Sequence, residues 1–209
     1  VPTPIGNLQE MTPRALDVLK NVSVVAAEDT RNTKKLLMAY GIDTPLISHH
    51  EHNQETSIPK IIERLSNHED VAVVSDAGYP LVSDPGQKLV QTTIENGFNV
   101  VSVSGANAAM NALVASGLSC YHYLFYGFLE NKSAKRKKQL EQIKEIPYTI
   151  VFYEAPHRIE DTLKDMLDVL GNRKMCLARE LTKVHEEFIR GTVSEVLEVA
   201  SSCKGEMVI

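Results

Sequence analysis

Val71-Ala72-Val73-Val74-Ser75-Asp76-Ala77-Gly78-Tyr79-Pro80-Leu81-Val82-Ser83-Asp84-Pro85-Gly86 decides the fold class. The four apolar residues Val71 to Val74 read as a strand. The strand runs into a loop rich in Gly and Pro, which can bring bare backbone close to a ligand. Outward on the N-terminal side, Ile58 to Leu65 reads as a helix, preceded by a helix through Lys34 to Leu37 that stops at Gly41 and a strand from Val22 to Ala27. On the other side Pro85 opens a helix that Gly97 closes. A strand Val100 to Val103 and a small-residue helix from Ala106 to Ser116, ending at Gly117, follow. Strand and helix alternate, which implies a mostly parallel sheet.

The C-terminal half repeats the style but not the sequence. Strands are expected at Tyr123 to Tyr126, Thr149 to Tyr153, Lys174 to Ala178 and His185 to Arg190, with a further one beginning at Gly205. Helices are expected at Ile159 to Leu170, before Gly171, and at Thr192 to Ala200. The expectation is two α/β domains, 1–117 and 118–209. Val1-Pro2-Thr3 reads as the tail of a strand, so both chain ends read as trimmed.

The 209 residues are 43% hydrophobic and 23% charged, which excludes disordered and collagen-like chains. Lys plus Arg number 22 against 27 Asp plus Glu, a net charge of −5 that argues against coating nucleic acid through bulk electrostatics. A local basic run stands out: Lys132, Lys135, Arg136, Lys137 and Lys138. Alone it reads as a solvated helix face. No apolar run is long enough for a membrane helix, and the start does not read as a signal peptide. Cys120, Cys176 and Cys203 form no CxxC, which suits a reducing compartment and core thiols.

Polar clusters follow the strands: Glu28-Asp29-Thr30-Arg31, Ser75 to Pro80, Ser104-Gly105-Ala106-Asn107, Glu154-Ala155-Pro156-His157-Arg158, and Arg179-Glu180-Leu181-Thr182-Lys183. Ligands of open α/β sheets bind beyond the carboxyl ends of strands, so the expected site is a cofactor cleft between the two domains. Any one cluster could be an ordinary turn, but Arg and His are not turn formers. GxxxxGK[ST], GxGxxG after a strand and GxSxG are absent, which counts against a P-loop NTPase, a standard dinucleotide site and an α/β hydrolase. His49-His50-Glu51-His52 lacks a second ligand group, so no metal is expected.

The motifs Pro4-Ile5-Gly6-Asn7-Leu8, Ala27 to Arg31, Ser75 to Gly86, Gly127-Phe128-Leu129, Tyr153 to Arg158 and Arg179 to Lys183, in that order, resemble the ribosomal RNA small subunit methyltransferase I family, with its tetrapyrrole-methylase-like class III fold. The resemblance implies S-adenosylmethionine-dependent 2′-O-methylation of a cytidine in the decoding region of 16S rRNA, within the small ribosomal subunit, by a cytoplasmic homodimer. It places the cofactor at Ile5, Gly6, Asp76, Ala77, Gly78, Tyr79, Ser104, Gly105, Asn107, Ala108, Tyr153 and Ala178. Catalytic candidates are Glu28, Asp29, His157 and Glu180, since a ribose hydroxyl is a weak acid. Arg31, Lys135, Arg136, Lys137, Lys138, Arg158 and Lys183 would grip phosphates. The chain departs from the family at Ser104-Gly105-Ala106-Asn107, usually Pro-Gly-Pro-Ser, and at Ala155, usually Ser. Two alternatives stand beside this reading: a same-fold methyltransferase acting on a tetrapyrrole or another small molecule, and a non-catalytic ribosome-binding module. The basic run and Arg31 favour RNA over the first. The Gly-rich loops favour a cofactor over the second.

Overall fold

Val24–Ala27 (β1) is buried at every position, as a central strand covered on both faces must be. In the computed structural model, which describes residues 1–209, β1 is the middle of a three-stranded parallel sheet. Its neighbours are Leu46–Ser48 (β2) and Val71–Val74 (β3), in register Val25 with Leu46 and Val24 with Val71. The strand's period of two sorts the core into layers. Val25 and Ala27 meet Ala15 and Leu19 of Pro13–Asn21 (α1) and Leu37 of Thr30–Ala39 (α2). Ala26 points the other way, to Ile58 and Ile61 of Gln54–Ser66 (α3) and Leu89 of Gln87–Glu95 (α4). Each fully buried Leu or Ile contributes about 1.5–3 kcal/mol relative to exposure. Thr12 starts α1 by accepting the Ala15 N–H at 3.1 Å, with Pro13 in the first turn.

These elements form one compact unit, Val1–Asn107, and Ala108–Ile209 forms a second. The division falls before Ala108, not after Gly117. Ala108–Ala115 (α5) explains this: its Ala112 and Leu113 pack with Val151, Cys176 and Val208 of the second unit's sheet. That sheet comprises Tyr123–Phe128 (β4), Thr149–Glu154 (β5), Lys174–Arg179 (β6), Glu187–Thr192 (β7) and Met207–Val208 (β8), ordered β4-β5-β8-β6-β7. Ser133–Ile143 (α6), Ile159–Leu170 (α7) and Val193–Ala200 (α8) pack with it through a core including Leu140, Leu163, Leu177 and Val196.

Three expectations are corrected. The second sheet is not mostly parallel: only β4 and β5 run together, and β8 and β7 are antiparallel to their neighbours. The link from Arg179 to Glu187 is too short for a crossover, which takes a dozen or more residues, so it makes a hairpin. Val100 to Val103 joins no sheet. Beside it a cavity of about 610 Å³ is lined by Val1, Val71, Ala72, Val73, Val100 and Val101, and on that edge β3 is bonded by the Val1 amino group, at 2.8 Å from the Val73 oxygen. Pro85 lies before α4, because Gly86, at φ 130°, takes the N-cap.

The cysteines are free, with Cys176 and Cys203 buried and Cys120 exposed. His49 is buried against the Ser57 hydroxyl at 2.9 Å, while His50 and His52 meet edge to face. No helix is long and apolar enough to cross a membrane.

Candidate active site

The first unit brings most of its sequence-expected residues together at the carboxyl ends of β1 and β3. Thr3 pairs with Gly78 through two backbone hydrogen bonds, of 2.9 and 3.0 Å, and its hydroxyl donates to the Ser75 carbonyl. This bridge draws Ile5 and Gly6 onto the loop Asp76 to Tyr79. A Cβ on Gly78, at φ +76°, would sit 3.4 Å from the Ile5 side chain and 3.7 Å from the Ala106 carbonyl. The position is thus both left-handed and closely lined, which is the reason for glycine. The Gly105 N–H donates to the Tyr79 hydroxyl at 3.0 Å, and the Ser104 carbonyl accepts from Thr12. Asn107 closes this unit and Ala108 opens the next. Leu81 and Ser83 take left-handed conformations at φ 73° and 64° on the same loop, a strain that persists only where the surroundings enforce it.

The carboxylates divide by environment. Asp29 caps α2, accepting the Arg31 N–H at 2.8 Å and two guanidinium contacts from the same residue. These bonds hold its carboxyl at about 2, so Asp29 is a weak proton acceptor, and the Arg31 guanidinium is committed to it. Glu28 differs. Burial pushes its carboxyl up, and the Asp84 and Asp76 charges add to the rise, while the Asp76 backbone N–H opposes it. Asp84 is raised too, by burial first and then by the Asp76 charge, while a hydrogen bond from Ser75 opposes the rise. Asp76 accepts from Asn32 at 3.2 Å. Asp84 and Asn32 escaped the sequence reading, although Asp84 stood inside a quoted motif; only the folded loop brings it near Glu28.

In the second unit, Glu154 at the end of β5 is buried. One of its oxygens accepts the Thr162 hydroxyl at 2.6 Å; the other accepts the Ala155 N–H at 2.8 Å and lies 3.1 Å from the Arg158 Nε. Arg158 also donates to the Leu129 carbonyl at 2.6 Å and contacts the Asn131 side chain. Its guanidinium therefore ties the β4–α6 loop to the start of α7 and is not free for a phosphate. His157 is exposed in the turn before α7. Tyr153 packs its ring against Phe125 and Phe128.

The basic run splits in the same way. Arg136 is 2% exposed, with its Nε 2.7 Å from Asp165, so it is a core residue and cannot reach RNA. Lys137 is held by Asp168 at 2.7 Å and by Asp165. Lys135 lies 4.0 Å from Glu130, while Lys132 and Lys138 are exposed on α6 and its N-cap without a carboxylate partner. Lys183 bonds Glu180 and Glu206, each at 2.9 Å, and this pairing lowers the Glu180 carboxyl, which makes Glu180 a weaker base. Ala178 is buried between Phe188 and Val208 in the sheet, facing the small apolar pocket below α5.

Residues 1–197 match the family of Tetrapyrrole (Corrin/Porphyrin) Methylases. The chain belongs to this family. Among its members it is similar to the ribosomal RNA small subunit methyltransferase I of Bacillus subtilis (strain 168), 55% identical over 197 residues, 94% of this chain and 68% of the relative. The protein of that name from Halalkalibacterium halodurans is 50% identical over 99% of this chain and 72% of the relative. Solved tetrapyrrole methylases share the fold. A cobalt precorrin-4 methyltransferase matches with TM-score 0.69 and 15% identity, covering 98% of this chain and 90% of the other. A uroporphyrin-III C-methyltransferase from Thermus thermophilus, complexed with S-adenosyl homocysteine, matches at 0.65 and 18%, covering 98% and 92%.

Proposed function

We propose that this tetrapyrrole methylase family member transfers a methyl group from S-adenosylmethionine to the 2′-hydroxyl of a cytidine in 16S rRNA, within the small ribosomal subunit, and works in the cytoplasm as a homodimer. Identity of 55% to a ribosomal RNA small subunit methyltransferase I carries the reading of reaction and substrate. The first unit's residues fit the cofactor. Gly78 and Gly105 let the first unit's loops pack closely on one another, and Asp76 and Asp84 give the strand ends a negative field suited to a cationic sulfonium.

S-adenosylmethionine supplies an electrophilic methyl group, so the protein's work is to position two reactants and remove a proton. Ile5, Gly6, the loop Asp76 to Tyr79 and the segment Ser104 to Asn107 would hold the cofactor, with Ala108, Tyr153 and the Ala178 backbone as further contacts. Glu28 is the proposed general base. A carboxylate pushed upward by burial accepts a proton better than an ordinary glutamate. The ribose hydroxyl proton would pass to its carboxylate oxygen. Lys132, Lys135 and Lys138 would meet phosphates, with exposed His157 beside the substrate.

The test is to incubate small subunits lacking the modification with protein and labelled S-adenosylmethionine, then map 2′-O-methyl groups by mass spectrometry. One new group on a cytidine of 16S rRNA, reduced at least a hundredfold by Glu28→Gln while cofactor affinity stays within threefold, is the expected result. Unmodified subunits with a folded, cofactor-binding protein would overturn the substrate, and full activity of Glu28→Gln would overturn the base.

A further inference from the structure

Strand β4 is irregular where it should alternate. Its register on β5 slips between Phe125 and Gly127, and Gly127 adopts φ 81°. Such a bulge re-aims the side chains that follow it. Tyr126 goes into the core beside Phe152, at a ring separation of 5.6 Å. Phe128, opposite Tyr153, joins Phe125 on the other face, with Tyr153 at 5.0 Å from Phe125 and 5.6 Å from Phe128. Tyr153 meets each phenylalanine in a T-shape, and Phe128 ends the series with 51% of its surface exposed.

One exposed aromatic is ordinary. The chain that follows this one is not, since each of its residues is tied. The Leu129 side chain is buried and its carbonyl accepts from Arg158. The Glu130 N–H donates to the Gln139 side chain at 2.8 Å, and the Asn131 carbonyl accepts from Arg136. Arg158 and Arg136 are themselves anchored by the buried carboxylates Glu154 and Asp165. A rigid loop thus sets an exposed ring at one end and Lys132 at the other, with Lys135 and Lys138 farther along α6.

We propose that Phe128 is a stacking platform for one unstacked base of the single-stranded RNA around the target, with Lys132, Lys135 and Lys138 holding the adjoining phosphates. Aromatic faces take any base, and cations beside them take the backbone, which is the combination single-stranded nucleic acid requires. The buried Arg136 and Arg158 serve by fixing the loop, so two residues that read as phosphate grips in the sequence instead position the platform. This inference rests on the rRNA reading above.

The chain contains no tryptophan, so Phe128→Trp installs a unique fluorophore. Titration with a single-stranded oligoribonucleotide copying the 16S decoding region should quench its emission saturably, and the further changes Lys132→Glu and Lys138→Glu should weaken the apparent affinity at least tenfold. In steady-state methylation of small subunits, Phe128→Leu should raise KM about 5- to 150-fold, the range that loss of one stacked base corresponds to. In that variant kcat and cofactor affinity should stay within threefold, and Phe128→Tyr should restore KM. Unquenched emission, or a KM for Phe128→Leu equal to that of the parent, overturns the platform. So does a shift of Phe128→Leu from dimer to monomer in sedimentation, which would assign the ring to a copy of the chain. If the parent fails to methylate subunits while RNA still quenches the tryptophan, the target assignment falls and the platform stands.

Discussion

The Tyr79 hydroxyl accepts the Gly105 N–H at 3.0 Å, joining two loops that lie 26 residues apart. Tyr79 follows β3, and Gly105 follows the unpaired segment Val100 to Val103, so this bond replaces some of the order a strand ladder would give. Tyr79→Phe should leave the fold intact and weaken S-adenosylmethionine binding by up to about tenfold, since a typical hydrogen bond contributes about 0.5–1.5 kcal/mol. Titration calorimetry on the parent and variant measures this directly.

Gly105 is constrained by contact. A Cβ there would come within 2.6 Å of the Pro2 ring. Gly105→Ala should lower stability by about 1–3 kcal/mol, as forced overpacking does. The strain would pass to the Thr3–Gly78 bridge, so cofactor affinity should fall with stability. Denaturant unfolding and calorimetry on one preparation give both numbers.

The basic run should separate into two kinds of variant. Arg136→Met leaves the buried Asp165 with only the Ser133 hydroxyl and Lys137, at 3.6 Å, and should cost about 3 kcal/mol, most of it recovered in Arg136→Met/Asp165→Leu. Lys132→Glu/Lys138→Glu should leave unfolding unchanged within about 0.5 kcal/mol while weakening association with small subunits. Chemical denaturation and sedimentation binding distinguish the two.

Glu28 and Asp84 should make stability depend on pH in an unusual direction. Their folded-state carboxyls titrate above the unfolded values, so the native state holds the proton more tightly. The ionised forms are therefore penalised in the fold above the folded-state value, and the penalty is relieved as pH falls towards the unfolded value. Glu28→Gln and Asp84→Asn should each raise Tm at pH 7, with the gain disappearing near pH 4. If Glu28 is the base, the rising limb of the pH–rate profile should also lie above the usual glutamate range.

Local signals were most legible where local forces suffice. Ile159 to Leu170 carries an unbroken helical period, and Gly171 stops it, so the helix falls where the sequence places it. Val71 to Val74 and the Gly-rich loop after it were equally plain. Val100 to Val103 has the composition of a strand, but a strand needs a partner edge, which composition does not supply. β7 runs antiparallel because the short link from β6 permits only a hairpin. In the site, glycine positions and strand-end carboxylates could be read in advance, but not their protonation. That depends on Asp84 reaching Glu28. Arg136 looked like its lysine neighbours because Asp165, which buries it, lies 29 residues away.

The unladdered segment beside β3 has a consequence for how the protein exchanges its amide hydrogens. The amides of Val100 and Val101 should exchange with deuterium within seconds, while those of Ala178 and Arg179 in β6, where strands pair on both sides, should persist far longer. Val101, 68% exposed on that segment, makes no ladder to lose, so Val101→Lys should leave unfolding unchanged within about 0.5 kcal/mol while its amide still exchanges fast.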